Sequence, residues 1–164
     1  VTLTAARLRE VLDYDPETGR FVWIKHRSKS RVGTPAGYVS TGDGYIRVFL
    51  AGQKFLGHRL AWLFIHDEWP DGQLDHKSLD RADNRLSNLR PATPTEQNGN
   101  QGVRSNNTSG VKGVSWSTPL SKWKATLTVQ GSNRHLGYFI HIDDAAAAYE
   151  KAANDHFGEF ARCA

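Results

Sequence analysis

The stretch from Gln101 to Gly113 (Gln-Gly-Val-Arg-Ser-Asn-Asn-Thr-Ser-Gly-Val-Lys-Gly) does most to limit the folds open to this chain. It mixes glycine with small polar side chains and has no apolar period, so it predicts a linker rather than a helix or strand. The 164 residues are thereby divided into about 100 before it and about 50 after it, each the size of one small module and neither that of a large enzyme core. The expected organisation is residues 1–100, a linker at 101–110, and residues 111–164.

Charge follows the same division. Between Arg20 and Leu60 stand eight basic side chains (Arg20, Lys25, Arg27, Lys29, Arg31, Arg47, Lys54, Arg59) and one acid, Asp43. Between Gln101 and His135 stand five (Arg104, Lys112, Lys122, Lys124, Arg134) and no acid. The acids gather around Asp67–Asp83 and Asp143–Glu159. Two basic tracts with an acidic one between them predict two surfaces on one polyanion, with an electronegative centre between. No apolar run is long enough to span a membrane. The single cysteine, Cys163, excludes an internal disulfide framework and a four-cysteine zinc ribbon. With no signal-like start, these features predict a cytoplasmic setting.

In the first part, Thr4 caps an expected helix over residues 5–12, with Leu8, Val11 and Leu12 on one face. A turn at residues 15–19 leads to a strand over 20–24, then a basic loop over 25–42. Strands are expected at 45–50 and 54–56, then a short apolar helix over 59–66. In the second part, strands are expected at 111–116, 123–129 and 134–139. A helix capped by Asp143 or Asp144 and ended by Gly158 follows, with Ala145, Ala148, Tyr149 and Ala152 on one face.

The chemistry is concentrated between Leu74 and Arg90: Leu-Asp-His-Lys-Ser-Leu-Asp-Arg-Ala-Asp-Asn-Arg-Leu-Ser-Asn-Leu-Arg. This segment is too polar for a core. It reads as a strand holding Asp75-His76, a polar loop, a strand at 88–90 and a helix near 95–100. Phosphodiester hydrolysis needs a cation on the scissile phosphate and a base of near-neutral pKa for water. A carboxylate with an amide carbonyl suits Mg²⁺ or Mn²⁺, and histidine suits the base. Asp75, Asn98 and His76 supply that set. Asp-His pairs and asparagine-rich loops also occur in chains with no such chemistry.

Residues 75–98 resemble the HNH, or His-Me finger, endonucleases of phage and homing type. The Asp-His…Asp-Asn-Arg…Asn-Leu-Arg…Gln-Asn series carries the likeness. Tyr14-Asp15, Thr18-Gly19-Arg20, Trp23, Gly44-Tyr45, His58-Arg59-Leu60-Ala61-Trp62 and Trp69-Pro70 are also similar to segments that precede the motif in that group. The resemblance implies a ββα-metal module with His76 as general base and Asp75 as metal ligand. Asn88 would brace the loop that holds His76, and the third position falls on Asn98 or Gln97, with Asn98 preferred. His58, at the start of an apolar helix, is expected to be buried and hydrogen-bonded rather than catalytic.

Val111-Lys112-Gly113-Val114-Ser115-Trp116, Lys122-Trp123-Lys124-Ala125, Leu136-Gly137-Tyr138-Phe139 and the alanine-rich segment up to Phe157-Gly158 resemble the APETALA/ethylene-response DNA-binding domain. That resemblance implies a three-stranded antiparallel sheet packed on one helix, the sheet lying in the DNA major groove. The plant domains read bases with arginines on the first two strands; here Ser115, Thr126 and Thr128 stand instead, so looser specificity is expected.

Taken together, these readings predict an α+β, metal-dependent DNA endonuclease that nicks one strand per active site of double-stranded DNA, as a monomer or weak dimer in a bacterial or phage-infected cell. No membrane partner and no cofactor beyond Mg²⁺ or Mn²⁺ is expected. Expected DNA contacts are Arg47, Lys54, Arg59, Arg90, Lys112, Trp116, Lys122, Lys124, Arg134 and His135. The rival reading is a non-catalytic DNA-binding regulator on an HNH scaffold.

Overall fold

The computed structural model describes residues 3–25 and 31–163, so His26, Arg27 and Lys29 of the first basic tract lie outside the described residues. The chain forms two compact units, one ending at Ala92 and the next starting at Thr93. The sequence boundary at residue 100 differs from this one for a packing reason. Gly99, in the helix after Thr93, lies so close to Phe157 that an added Cβ would come within 2.7 Å of its ring.

In the first unit, helix α1 (Ala5–Arg9) starts at Thr4, whose hydroxyl accepts from the Arg7 N–H at 3.3 Å. It ends sooner than helical spacing predicts, because Leu12 opens strand β1 (Leu12–Asp15). β1 pairs antiparallel with β2 (Arg20–Trp23), Leu12 opposite Trp23 and Tyr14 opposite Phe21. Strand alternation buries these four side chains. A three-stranded antiparallel sheet follows, in the order β3 (Tyr38–Val39), β4 (Ile46–Leu50), β5 (Gln53–Leu56). Ala51 and Gly52, at φ 51° and 82°, make the two-residue turn that matches strand twist. Helix α2 (Gly57–His66) buries Leu60, Ala61 and Leu63 in the core with Leu8, Leu12, Tyr14, Phe21, Trp23 and Val48. Each such large side chain stabilises the unit by about 1.5–3 kcal/mol. A hairpin of β6 (Gln73–His76) and β7 (Leu89–Ala92) completes the unit.

The second unit opens with helix α3 (Pro94–Asn100), fixed by a capping box. The Glu96 N–H donates to the Thr93 hydroxyl at 3.3 Å, and the Thr93 N–H to the Glu96 carboxylate at 2.7 Å. Strands β8 (Val114–Ser117), β9 (Lys122–Val129) and β10 (Ser132–Phe139) form an antiparallel sheet in the order β10-β9-β8, and helix α4 (Ile142–Phe157) packs on it. The α4 cap differs from expectation. His141 holds the capping position without a side-chain bond, while Asp143 and Asp144 fall in the first turn, where their charge suits the positive helix end. Ala145, Tyr149, Ala153 and Phe157 form the buried stripe. Gly113, at φ 69°, leaves no room for a side chain, because a Cβ there would come 2.2 Å from the Tyr149 ring. The mixed helices and small antiparallel sheets give the expected α+β class. No helix among the described residues is long and apolar enough to cross a membrane.

Candidate active site

The β6–β7 hairpin places Asp75 directly opposite Arg90 and His76 opposite Leu89. Both members of the Asp-His pair are buried. The loop between the strands is closed by Asn88. Its Oδ1 accepts from the Ser78 N–H at 2.9 Å, and its Nδ2 donates to the Asp83 carbonyl at 2.8 Å. The Lys77 N–H adds a bond to the Asn88 carbonyl at 2.9 Å. Asn88 therefore grips both sides of the loop that follows His76. Inside the loop, Asp83 binds the Arg85 guanidinium through both oxygens, at 2.8 and 2.6 Å. This bond holds the Asp83 carboxyl below its ordinary range.

His76 sits in a buried cluster that the spacing of the motif does not reveal. Its Nε2 lies 3.2 Å from the Asn84 Oδ1. Its ring stands edge-on to His58 at 5.0 Å and tilted to Tyr45 at 5.8 Å. Burial lowers the His76 pKa, against the raising effects of the Asn84 bond and of Asp75, Asp83 and Asp80. The imidazole is thus neutral at pH 7, the form a base requires. Arg81 lies over the Tyr45 ring at 5.1 Å and donates to the Asp43 carbonyl at 3.0 Å, pinning the loop to the turn before β4.

His58 is buried as expected, but its Nδ1 has no partner among the described residues. Burial, then the nearby His76 and Arg59, push its pKa from 6.5 down to about 3. The unfolded chain takes up this proton near the ordinary value and the fold does not, so acid favours unfolding between those two pKa values. The stability that neutral His58 contributes is complete above pH 6.5 and declines by about 1.4 kcal/mol per pH unit below it. Between pH 7 and pH 5, urea melts should show wild type losing about 2 kcal/mol more than His58→Phe. Equal losses would mean that the folded ring takes the proton.

Asp75 is held by Arg90, whose Nε and Nη2 both donate to its Oδ2, at 3.0 and 2.9 Å. Among the described residues no group of three or more His, Cys, Asp or Glu side chains could cage a metal ion. A hard cation such as Mg²⁺ does not need such a cage, because it commonly takes one or two protein oxygens and fills its shell with water and phosphate. The carboxylate chemistry of Asp75 fits that kind of site. Asn98 is carried by α3 in the second unit, exposed, with its Oδ1 accepting from Gln101 Nε2 at 3.0 Å. Gln97 on the same helix is half-buried. Asp75, His76 and Asn88 are thus brought together in the first unit, with Asn84, His58 and Tyr45 joining them from the structure.

Several expected DNA contacts have partners inside the protein. Arg90 is buried on Asp75 rather than displayed on a surface. Lys112 Nζ donates to the carbonyls of Gly99, Gln101 and Arg162 at 2.6–3.1 Å. Arg59 donates to the Gly72 and Pro70 carbonyls and lies over Trp69. Arg47 pairs with Asp43. Lys54 is exposed on β5, opposite Phe49, which is itself 58% exposed.

In the second unit, strand alternation sorts the rest. Val114, Ala125 and Leu127 are buried on the α4 side of the sheet. Ser115, Lys122, Lys124, Thr126, Thr128, Asn133, His135 and Tyr138 take the opposite face by register, and none of them is acidic. Arg134, opposite Leu127, falls on the α4 side. Trp116 is half-exposed and edge-on to its cross-strand neighbour Trp123 at 5.0 Å.

Residues 55–98, from β5 through the β6–β7 hairpin into α3, match the HNH endonuclease family. The chain is 32% identical to Protein 3.8 of Escherichia phage T7 over 106 residues, covering 64% of this chain and 87% of that protein. It is 30% identical to an HNH endonuclease, L560, of Acanthamoeba polyphaga mimivirus over 120 residues, covering 73% of this chain and 62% of that protein. No solved structure matches the chain. With the Asp75-His76 hairpin inside the matched segment, the chain carries an HNH endonuclease domain and belongs to one family with Protein 3.8.

Proposed function

We propose that this protein is a metal-dependent DNA endonuclease of the phage and homing HNH type, cutting one strand of double-stranded DNA at each encounter in the cytoplasm of a bacterial or phage-infected cell. The observation that carries this reading is the buried His76 beside Asp75, on a hairpin whose loop Asn88 ties shut. Nε2 of His76 lies 3.2 Å from Asn84 Oδ1, and a proton seated there leaves the lone pair on Nδ1 to take a proton from water. Asp75 is the residue of the first unit that would hold Mg²⁺ or Mn²⁺. When bound, the ion would neutralise charge developing on the phosphate and the leaving oxygen. Asn88 touches no reacting atom in this scheme; it holds the loop against the strands.

The second unit is proposed as the DNA anchor, on the pattern of the APETALA/ethylene-response domain. Its support is a sheet backed by one helix, with its other face acid-free by register and carrying Lys122, Lys124 and His135. Trp116 and Arg134 border that surface from the helix side, and Lys54 with Phe49 offers a further contact on the first unit. A Lys122→Gln/Lys124→Gln variant should bind DNA more weakly, with the slope of log affinity against log salt reduced by about 1 to 2. An unchanged slope would remove this face as a phosphate contact.

The function is tested by incubating supercoiled plasmid with the protein in Mg²⁺, in Mn²⁺ and in EDTA. Nicked circles should come first, linear product later, and EDTA should stop both. Linear product alone at the earliest times would contradict one cut per encounter, and a plasmid bound but uncut under every condition would favour the non-catalytic regulator.

A further inference from the structure

We propose that Asn84 is a positioning residue for His76, its side-chain oxygen accepting the Nε2 proton and fixing both the tautomer and the ring plane. This inference deepens the endonuclease reading and rests on it for the role of His76.

Asn84 is gripped from three directions. The Tyr14 hydroxyl donates to its carbonyl at 2.7 Å. Gly19, at φ 70°, presses against its backbone so closely that a Cβ would come 2.6 Å from its carbonyl carbon and 2.4 Å from the Arg85 nitrogen. Gly57, the first residue of α2, lies under its side chain, where a Cβ would stand 2.5 Å from Nδ2. The residue is 1% exposed. Its backbone is thus held by the β1–β2 hairpin and its amide is lodged between α2 and the His76 ring.

The amide is only partly satisfied. Oδ1 faces His76 Nε2 at 3.2 Å, while Nδ2 is buried and has no partner among the described residues. A buried donor without a partner costs about 1–3 kcal/mol. A side chain kept only to fill this space would be better apolar, so the acceptor is what the site retains. A neutral imidazole can donate from only one nitrogen. Seating that proton on Nε2 leaves the basic lone pair on Nδ1 and removes the population in which the two are exchanged. The turned amide, with Nδ2 toward the ring, would demand the other tautomer, so the assignment is open to direct measurement.

The experiment is a ¹⁵N–¹H ring spectrum of His76 near neutral pH, in wild type and in Asn84→Leu and Asn84→Asp, alongside plasmid cleavage and DNA affinity. Wild type should show the Nε2–H tautomer. Asn84→Leu should lose that preference and cut about 10- to 100-fold more slowly, with DNA affinity within about twofold, as for loss of other groups that orient a functional histidine. Asn84→Asp keeps the acceptor and should restore the tautomer and most of the rate. An Nδ1–H tautomer in wild type, or a folded Asn84→Leu that keeps both tautomer and rate, overturns the proposal. If Asn84→Leu does not fold, the wild-type tautomer and Asn84→Asp still decide. A wild type that shows the Nε2–H tautomer but never cuts DNA would sink the endonuclease reading and leave the hydrogen bond standing.

Discussion

His76→Ala is expected to slow plasmid nicking by about 10²- to 10⁴-fold, the usual contribution of a positioned base, while DNA affinity stays near wild type and the variant stays folded with some loss of stability from the buried ring. The separation of the two effects follows from what the ring touches. The ring touches Asn84, His58 and Tyr45 inside the first unit, whereas the proposed phosphate contacts are Lys54 and the acid-free sheet face of the second. Removing the ring deletes the proton acceptor and leaves those surfaces unaltered. Burial lowers the His76 pKa, which favours the neutral imidazole over a cation held by phosphate. Gel-shift or anisotropy titrations beside the plasmid time course give both numbers from one preparation. A variant that still nicks at a wild-type rate would assign the proton transfer elsewhere. One that loses binding in parallel with cleavage would make His76 a structural or contact residue instead.

The positions of the strands around Asp75-His76 were legible because local signals agreed: a short apolar-polar run, a loop of Asp, Asn and Ser that makes its own turns, and a proline-opened helix. Strand β1 was not, because Val11 and Leu12 fit a helical face as well as a strand edge; pairing with β2 decides it. Asn84 was visible as part of Asp83-Asn84-Arg85 but carried no role. Its position depends on Tyr14, Gly19 and Gly57, all distant in sequence. Arg90 read as a surface cation because composition cannot report that β7 registers it opposite Asp75. Which of Arg134 and His135 shares a face with Tyr138 turns on an irregularity in β10 between His135 and Gly137. That extra residue puts His135 and Tyr138 on the same side, their rings 4.6 Å apart, and no alternation rule applied to the sequence would place it.

Arg90→Leu should destabilise the protein by about 3–5 kcal/mol at neutral pH, the usual cost of breaking a buried ion pair by removing one member. Asp75 and Arg90 are both buried, and the guanidinium sends two N–H groups to one carboxylate oxygen. Leucine matches part of the arginine volume but offers nothing to that oxygen, so the cost falls on Asp75. The cost should therefore depend on Asp75 being charged. In Asp75→Asn/Arg90→Leu the buried charge is gone, and more than half of the lost stability should return, which urea melts of Arg90→Leu, Asp75→Asn, the double variant and wild type would measure as a coupling energy. Arg90→Lys should lie between, because a single ammonium cannot reproduce the Nε and Nη2 pair. Cleavage separates structure from chemistry in the same set. The double variant, though refolded, should remain inactive, because its carboxylate is missing from the Asp-His pair. Recovery of stability and activity together would mean that Asp75 serves the fold alone, and additive losses in the single and double variants would mean that Arg90 does not hold Asp75 at all.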